Sequence, residues 1–552
     1  MNKGLVAPET QLYDAPKLIS QVNGLFGMPV FGLTDCVWWQ GFGSELAKFW
    51  LPDYPDAGMF DCSTSNSDLA QLQFRWKPPS WGGQTNVASA TPSMVINDID
   101  ILLTGGKLYS TIRAILEQVY SDALAAGDDM SALNAVLQHY SAGKCMVLPF
   151  PRVSLLIMMC TNLHLYLLLT VPEFHITNNL VDSLSSATTV RDVPNITIPT
   201  NPPPVEGYKA ILYLYMAGAA DSYSMLVPTA GCGTLYDDYR SVRGDVALPL
   251  DPNKFPEPLL YPLPIDASTS NQPCNSMGLH PSLDNVKKLY EGGDASWVAN
   301  IGPLVEPLTA LEFDIGSKPT PQALFAHNTQ TSVTQSVFSQ DSTVGGVLGR
   351  IGDSLNQQAG EEIFDAYSIS GTPKILEGAP GVSRVPDVLS GYGVSSFNYL
   401  VTPTYEDNIE ALSQHIVTSI FGETYSASMT NAIYRMRLLD GVVGETALIG
   451  DACFDDLNTD IANQLWQVAR MTNNRDGLNA KRDVFYAQIG GFDTHSDNHE
   501  ILASLLTQID DAIGCFKTEM DNQGIWNNVT VVSASEFGRT MTSNGLGTDH
   551  AW

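Results

Sequence analysis

Four polar side chains, Asp493, His495, Asp497 and His499, come directly after the apolar run 484–489. The chain has only nine histidines, and neither a solvated loop nor a packed core requires two imidazoles among carboxylates. Carboxylate and imidazole together are the ligands that zinc, manganese and iron take in proteins. This stretch therefore predicts a metal site, and an ordinary polar turn is the alternative.

Two other largely apolar runs, 209–216 and 529–534, are also followed by acidic or imidazole residues. Such runs are typical of strands in a parallel sheet that helices cover on both faces. Ligands bind at the carboxyl ends of these strands, so residues far apart in sequence are expected to meet at one edge. Without a cation, that many acids would repel one another. The residues expected at this edge are Asp221 after the first run, Asp493, His495, Asp497 and His499 after the second, and Glu536 with His550 after the third.

Each of these residues also has a structural alternative. Asp221 and Asp493 could instead cap the segments that follow them, and His499 could be an exposed residue near a helix start. Glu536 follows a buried strand, where a carboxylate is costly without a partner. Arg539 could pair with Glu536 or could hold an anionic substrate. The residues alone leave these alternatives open.

The C-terminal part of the chain alternates strands and helices. Strand, helix and strand in succession over 484–534 form a βαβ unit. The sequence therefore predicts an α/β fold over 208–552, with a mostly parallel sheet sandwiched by helices. The helix of the unit is predicted from an apolar stripe at helical spacing, formed by Ile501, Leu502, Leu505, Leu506, Ile509, Ala512, Ile513 and Phe516.

The N-terminal part has a different character, with short helical patterns and irregular segments rich in Trp, Gly and Pro. The clearest helical pattern covers 101–142. A proline-rich stretch, NITIPTNPPPVE at 195–206, cannot be a helix. We therefore predict a mainly helical, irregular region over 1–180, a proline-rich linker over 181–207 and the α/β domain over 208–552.

Composition excludes some classes of partner. The 552 residues suffice for two to four domains, and 59 acidic residues against 28 basic residues give a net charge of −31. Nucleic acid is excluded as a partner, because its phosphates would be repelled. The eight cysteines are scattered and form no C-x-x-C pair, so they predict neither a zinc knuckle nor a thioredoxin-like motif.

One segment raises a membrane question. The stretch SLLIMMCTNLHLYLLLTV at 154–171 contains no acid and no base, which is marginal for crossing a bilayer. It includes Asn162 and His164, and its flanks carry no strong basic asymmetry. A buried helix or an insertion into the fold is therefore the favoured interpretation. The N-terminus has no apolar stretch of the signal-peptide type.

Several motifs of the C-terminal part are similar, in order, to those of one family. GGFDTH at 490–495, SEFGRT at 535–540 and GTDH at 547–550 resemble the C-terminal signatures of the domain of unknown function 1501 family. That family is placed in the alkaline phosphatase and sulfatase superfamily. The resemblance covers about 208–552. Further similar motifs are LHPSL at 279–283, VANIGPLVEP at 298–307, LFAHNTQ at 324–330 and GVLGRIGD at 346–353.

The resemblance implies roles for the predicted ligands. Asp221 would ligate one metal ion, Asp493 with His495 would ligate another, and His550 would be a late ligand. Glu536 stands where relatives often have Asp followed by His. Here Phe537 follows, so one imidazole is missing and occupancy by two zinc ions is in question. The implied cofactor is a divalent metal, with zinc favoured over manganese and calcium.

The nucleophile has two candidates. Relatives use Ser, Thr or a modified Cys at a helix start, which points to Thr329 in the stretch HNTQ at 327–330. Ser222, beside Asp221, is the rival. A hydroxyl next to a metal ion loses its proton more readily and can attack phosphorus or sulfur.

The N-terminal part resembles the end of a second family, the domain of unknown function 1800 family, through GLVAPETQ, LLTGGKL and TVPEFHITN. That family often accompanies the first in bacterial operons, so a fuller domain of it is an expected partner. The resemblance also implies that 146–169 is an insertion or a mis-joined gene segment. Relatives continue beyond the position of Trp552, which predicts that the α/β domain is C-terminally incomplete.

The sequence and the resemblance together predict a metal-dependent hydrolase-like protein. Its expected substrate is a small anionic ester of phosphate or sulfate, and the resemblance favours a secreted or extracytoplasmic location. The alternative is a non-catalytic secreted or surface binding protein that keeps the fold.

Overall fold

The computed structural model describes residues 203–552 except 251–260, 271, 342–343, 380–386, 390, 392, 394–402, 417–419 and 445, and seven helical positions between 93 and 118. The chain divides into two units. One comprises Met1–Ile196 with Ser395–Leu438, and the other comprises Thr197–Val394 with Leu439–Trp552. The segment 154–171, for which a membrane helix was weighed, lies outside the described residues, as does 146–169.

The strands of the described residues form two sheets. The larger sheet has the order β6-β5-β7-β1-β8, and all four of its strand pairs are parallel. The smaller sheet is antiparallel, with the order β2-β4-β3. The strands are β1 (Lys209–Met216), β2 (Leu226–Ala230), β3 (Leu263–Asp266), β4 (Ser276–Leu279), β5 (Phe364–Ser368), β6 (Asp387–Val388), β7 (Arg482–Ile489) and β8 (Val529–Ala534).

The helices of the described residues range from one turn to seven turns. Short 3-10 turns occur at Ser222–Ser224, Gly244–Val246, Lys374–Leu376 and Trp526–Asn528. The α-helices are α1 (Leu235–Arg243), α2 (Asp284–Glu291), α3 (Ala310–Asp314), α4 (His327–Ser336), α5 (Val347–Ala359), α6 (Pro403–Gln414), α7 (Ile420–Val443), α8 (Asp451–Leu457), α9 (Asp460–Asn473), α10 (Arg475–Leu478) and α11 (Asn498–Asn522).

Strand β1 is covered on both faces, as its apolar sequence predicts. Leu212 and Leu214 face one hydrophobic core, which they share with residues of α9 and α11. Tyr213 and Tyr215 face a second core, which they share with residues of α5. Because alternate side chains of a strand point to opposite faces, the sheet lies between two helical layers. The predicted α/β class with a mainly parallel sheet flanked by helices is confirmed.

Helix α11 follows the predicted stripe. Leu502, Leu506 and Phe516 are buried, whereas Ile501 at its first turn is 36% exposed. A disulfide between Cys453 and Cys515 joins α8 to α11. A second disulfide joins Cys232 to Cys274. Among the described residues, no helix combines the length and the apolar character that crossing a bilayer requires.

One buried carboxyl makes the stability of the sheet depend on pH. Asp483 on β7 is 2% exposed, and its Oδ2 accepts a hydrogen bond of 2.8 Å from the Tyr208 hydroxyl. Burial raises the pKa of Asp483 to about 8, and the charge of Asp365 on the neighbouring strand adds to this increase. Asp483 is therefore protonated in the folded protein at neutral pH.

We predict that replacing Asp483→Asn removes a pH dependence of folding. A pKa raised above the unfolded value of about 3.9 gives stability that is complete below about pH 4 and is lost as the pH rises through 8. The free energy of unfolding is measured for both proteins in urea with chelator present. The value for the variant minus that for wild type should be a few kcal/mol larger at pH 8.5 than at pH 5. Asp455→Asn, at an exposed position of α8, is the matched control. An equal difference at both pH values would contradict the prediction.

Candidate metal centre

The three parallel strands β7, β1 and β8 bring their carboxyl ends together, because β1 lies between the other two. Backbone hydrogen bonds continue past the strand ends. The amide of Ala217 donates to the Ile489 carbonyl at 2.9 Å, and the amide of Phe492 donates to the Ala217 carbonyl at 3.2 Å. The Ala220 amide donates to Ser535 Oγ at 2.9 Å. The segments that follow the strands therefore form one edge, as predicted.

Gly218 allows these segments to approach so closely. Its φ is +110°, and a Cβ at this position would lie 2.7 Å from the Asp493 nitrogen. Its own amide donates to Glu536 Oε1 at 2.7 Å. A larger residue would have to push the β1 and β7 segments apart, so the edge requires glycine here.

A cluster of His327, Asp493 and His550 lies at this edge, with one ligand atom from each residue within 4.8 Å of the others. His327 Nε2 lies 3.2 Å from His550 Nε2 and 3.4 Å from Asp493 Oδ2. His550 Nε2 lies 3.1 Å from Asp493 Oδ1. The described residues thus contain a His–Asp–His cluster that can hold a metal ion.

His495 adds a fourth potential ligand. Its Nε2 lies 3.1 Å from His550 Nε2 and 3.1 Å from Asp493 Oδ1. The segment with His550 is held beside His495 by backbone hydrogen bonds, including Thr548 N to the Thr494 carbonyl at 3.1 Å. Three imidazoles therefore present Nε2 toward a single carboxylate.

The opposite nitrogen of each imidazole faces an oxygen acceptor. His327 Nδ1 lies 2.8 Å from Glu536 Oε1, and His495 Nδ1 lies 3.1 Å from Asp549 Oδ1. His550 Nδ1 lies 2.8 Å from the Phe325 carbonyl. An ionised carboxylate and a carbonyl can only accept a hydrogen bond. Each Nδ1 must therefore carry a proton, which leaves a lone pair on each Nε2 of a neutral ring.

This arrangement needs positive charge at its centre. Lone pairs on Nε2 atoms 3.1–3.2 Å apart repel one another, and Asp493 cannot donate a proton to them when ionised. Either protons on the imidazoles or a cation must compensate. The separations of 3.1–3.4 Å bring the ligand atoms of His327, Asp493 and His550 close enough to share one ion. The donor set therefore fits a metal ion.

Arg539 keeps Asp493 ionised. Its Nη1 donates to Asp493 Oδ1, and its Nε and Nη2 donate to the side chain and carbonyl of Thr548. Partial burial acts to raise the pKa of Asp493, but the Arg539 hydrogen bond and charge, with the charges of His495 and His550, outweigh it and lower the pKa. Asp493 thus stays available as an anionic ligand.

Glu536 is placed behind the cluster. It is 2% exposed and accepts hydrogen bonds from the Gly218 amide, from Ser535 Oγ and from His327 Nδ1. The structure therefore brings Glu536 to the predicted edge, but its contact with the cluster passes through His327. A carboxylate in this position fixes the tautomer and orientation of a histidine ligand.

Asp221 is engaged elsewhere. Its carboxylate forms an ion pair with Arg243, both side chains being fully buried. Asp221 Oδ2 also accepts from Ser224 Oγ at 2.8 Å and from Asn498 Nδ2 at 3.0 Å. The structure does not bring Asp221 into the His–Asp–His cluster, and its contacts are those of a structural residue.

The predicted nucleophiles do not contact the cluster within the described part of the chain. Ser222 is exposed in the 3-10 turn after Asp221. Thr329 lies in the first turn of α4, where its Oγ1 is 3.4 Å from Asn328 Oδ1. Thr329 thus lies at a helix start, and its role as nucleophile stays a prediction.

Two further residues of the stretch 493–499 do not join the cluster. Asp497, with φ +52°, is the residue before α11. His499 Nε2 lies 2.9 Å from the Asp245 carbonyl. Asp493 is not the cap of α11, because the helix begins at Asn498.

Phe537 fills one side of the cluster. Its ring centroid lies 4.9 Å from that of His327 and 5.0 Å from that of His550, and the residue is 7% exposed. The phenyl ring of Phe537 has no nitrogen, oxygen or sulfur atom with which to ligate a metal ion. The substitution noted in the sequence therefore places an apolar wall beside the two imidazoles.

Sequence reasoning did not assign His327 as a ligand. The candidate ligands were polar residues that follow predicted strands, whereas His327 is the first residue of α4. The scarcity of histidines could have pointed to it, because nine in 552 residues make each one notable.

We predict that Asp221→Asn destabilises the fold but leaves zinc affinity within about twofold of wild type. Loss of one partner of a buried ion pair costs about 3–5 kcal/mol, which urea unfolding of the metal-free protein measures. The paired change Asp221→Leu with Arg243→Met should recover more than half of that loss, because neither charge is then left alone. A fall in zinc affinity equal to that of Asp493→Asn would show instead that Asp221 is a ligand.

Residues 466–552 match the family described as a protein of unknown function (DUF1501). No curated protein and no solved structure matches the chain. The matched residues include β7, α11 and β8, but His327 lies outside them. The part of the chain that carries Asp493, His495, Glu536 and His550 is therefore similar to this family, as its motifs predicted.

Proposed function

We propose that this protein is a metal-dependent hydrolase that acts on an ester of phosphate or sulfate. The observation that supports it most directly is the convergence of three imidazole Nε2 atoms, whose Nδ1 atoms are all engaged, on the Asp493 carboxylate. Such a donor set is typical of a cation site in an enzyme.

His327, Asp493 and His550 would hold the ion, with His495 beside it, because catalytic zinc sites use three protein ligands and keep one position open for substrate or water. Imidazole-rich sets with one carboxylate favour zinc, whereas calcium prefers oxygen ligands alone. A bound zinc ion supplies Lewis-acid chemistry, which polarises a phosphoryl or sulfuryl oxygen and lowers the pKa of an attacking hydroxyl or water.

The surrounding residues prepare the ligands for this role. Glu536, Asp549 and the Phe325 carbonyl orient the imidazoles, and Arg539 keeps Asp493 anionic. Phe537 excludes water from one side. The side chains of His327, Asp493 and His495 remain 37–48% exposed, so an ion and a small ester can reach them from solvent.

The placement of the cluster supports the implied relationship to the alkaline phosphatase and sulfatase superfamily. The cluster lies at the carboxyl edge of a parallel sheet, where that superfamily is expected to bind metals. An extracytoplasmic location is part of the proposal, and the disulfides Cys232–Cys274 and Cys453–Cys515 support it. Disulfides persist mainly in oxidising compartments.

A non-catalytic binding protein is the second candidate. The observation that favours it is that neither the Thr329 hydroxyl nor the Ser222 hydroxyl forms a hydrogen bond with the cluster in the described part of the chain. In that case a metal ion would stabilise the fold or a bound partner without turnover. Metal binding without hydrolysis of any ester would favour this candidate.

We predict that the purified protein binds one zinc ion. Replacing a ligand should weaken zinc binding more than replacing a residue that only orients a ligand. His327→Ala and Asp493→Asn remove ligands and should weaken zinc binding most. Glu536→Gln keeps the shape but removes a charged acceptor, which typically costs about 10–100-fold in affinity. Chelator competition measures the dissociation constants, and metal analysis measures the stoichiometry.

His499→Ala is the control for these variants, because His499 is a neighbouring imidazole that contacts the Asp245 carbonyl instead of the cluster. Its zinc affinity should equal that of wild type. Equal losses in His327→Ala and Glu536→Gln would indicate that Glu536 is itself a ligand, as the sequence predicted. Unchanged affinity in His327→Ala would contradict the proposed centre.

We predict zinc-dependent hydrolysis of at least one ester in a panel of phosphate monoesters, phosphate diesters and sulfate esters. Asp493→Ala should abolish this activity, because it removes the carboxylate that anchors the centre. Thr329→Val and Ser222→Ala distinguish the two candidate nucleophiles, and loss of kcat in one variant at unchanged zinc content identifies it. Equal activity in wild type and Asp493→Ala would exclude the assigned site.

A further inference from the structure

The candidate metal centre contains more negative than positive charge. Glu536 contacts His327 of the cluster, and Asp493 and Asp549 both contact the neighbouring His495. Arg539 is the basic side chain, other than histidine, that pairs with these carboxylates in the described part of the chain. A divalent ion together with Arg539 would balance the three carboxylates and leave no excess positive charge.

The nearby arginines cannot reach a substrate. The Arg539 side chain is fully buried, and its three nitrogens donate to Asp493 and Thr548. Arg243 is also fully buried, in its ion pair with Asp221. Sites that bind a dianionic phosphate usually present arginine or lysine side chains, or a helix N-terminus, to the additional charge. Neither guanidinium is free to do so here, and in the first turn of α4, which begins at His327, the Thr329 amide already donates to Asn328 Oδ1 at 2.8 Å.

Apolar side chains flank the ligands. Phe325, whose carbonyl binds His550, is 39% exposed, and Leu546 is 74% exposed on the loop that contacts His495 through Asn544. Trp552, two residues after His550, packs against Phe313 with ring centroids 5.9 Å apart and the ring planes tilted by 40°. These surroundings suit the organic part of an ester better than a highly charged one.

We propose that the substrate is a monoanionic ester with an apolar organic group, which means a sulfate ester or a phosphate diester. This inference rests on the proposed function and specifies its substrate. A monoanion contacts the ion while it adds one negative charge to a neutral site. A dianionic phosphate monoester adds a second charge that is repelled by the three carboxylates and by a chain of net charge −31.

Binding of unreactive analogues tests the inference without interference from differences in ester reactivity. Benzenesulfonate and methyl phenylphosphonate are monoanions, and phenylphosphonate at pH 8.5 is a dianion of nearly the same shape. Calorimetry with the zinc-loaded protein at low ionic strength should give at least about tenfold tighter binding of both monoanions, and added salt should reduce the difference. Tighter binding of the dianion, or binding of none of the three, would overturn the inference.

Removal of one carboxylate provides the matched variant. Asp549→Asn should lower the preference for monoanions by about threefold or more, because the nearby charge is lost. The ratio of affinities within each protein cancels any general weakening through His495. Asp455→Asn makes the same change in net charge at an exposed position of α8 and should leave the ratio unchanged. Equal ratios in both variants would contradict the electrostatic cause.

Metal analysis of the same samples distinguishes failure of the substrate inference from failure of the proposed function. If zinc is bound and the dianion is preferred, the substrate inference is wrong and the proposed hydrolase stands. If no zinc is bound at the cluster, the proposed function is contradicted, and the substrate inference fails with it.

Discussion

The candidate site depends on the hydrogen bonds at the outer nitrogens of its imidazoles. Glu536, Asp549 and the Phe325 carbonyl each occupy an Nδ1 atom, so the Nε2 atoms are left to face one another and a carboxylate. Lone pairs that face one another at such distances repel, and a positive charge between them would compensate. The arrangement therefore has the chemistry of a cation site. The oxygen acceptors at Nδ1 are needed as well as the ligands, because they determine which nitrogen of each imidazole can bind the cation.

The strand order and the backbone conformation fix the positions of the ligands and of their acceptors. The central position of β1 brings the segments after β7 and β8 together, and Gly218 lets them touch. Phe325 has a φ of +71°, a conformation that costs energy for a bulky residue. In that conformation its carbonyl reaches His550. Backbone strain of this kind is typically found where a fold must place a functional group.

Apolar patterning predicted most of what positions the site. The runs 209–216 and 529–534 form β1 and β8 with the expected boundaries, and the stripe after residue 500 forms α11. The edge that collects Asp493, His495, Glu536 and His550 follows from strand polarity alone. Periodicity predicts which residues share a face, and in a parallel sheet it also predicts which ends meet.

Tertiary partners could not be predicted in the same way. Arg243 lies on α1, and nothing in its local sequence indicates that it pairs with Asp221. His327 begins a helix and reaches the site through packing that no periodicity encodes. Glu536 contacts His327 of the cluster, whereas Asp493 is itself a member of it, and the sequence does not show this difference. The residue types indicated the chemistry, but which side chains contact each other could be determined only from the folded structure.

The strand order also has a consequence for biosynthesis. Strand β1 is made early but pairs with β7 and β8, whose first residues are numbered 482 and 529. A nascent chain must therefore hold an apolar strand unpaired until Arg482, 266 positions after Met216, has been synthesised. Long-range pairing of this kind is slow and exposes the chain to aggregation. The ion could reach all of its ligands only after residue 550 had emerged, so metal supply would act after β8 is synthesised and would stabilise the folded state by mass action.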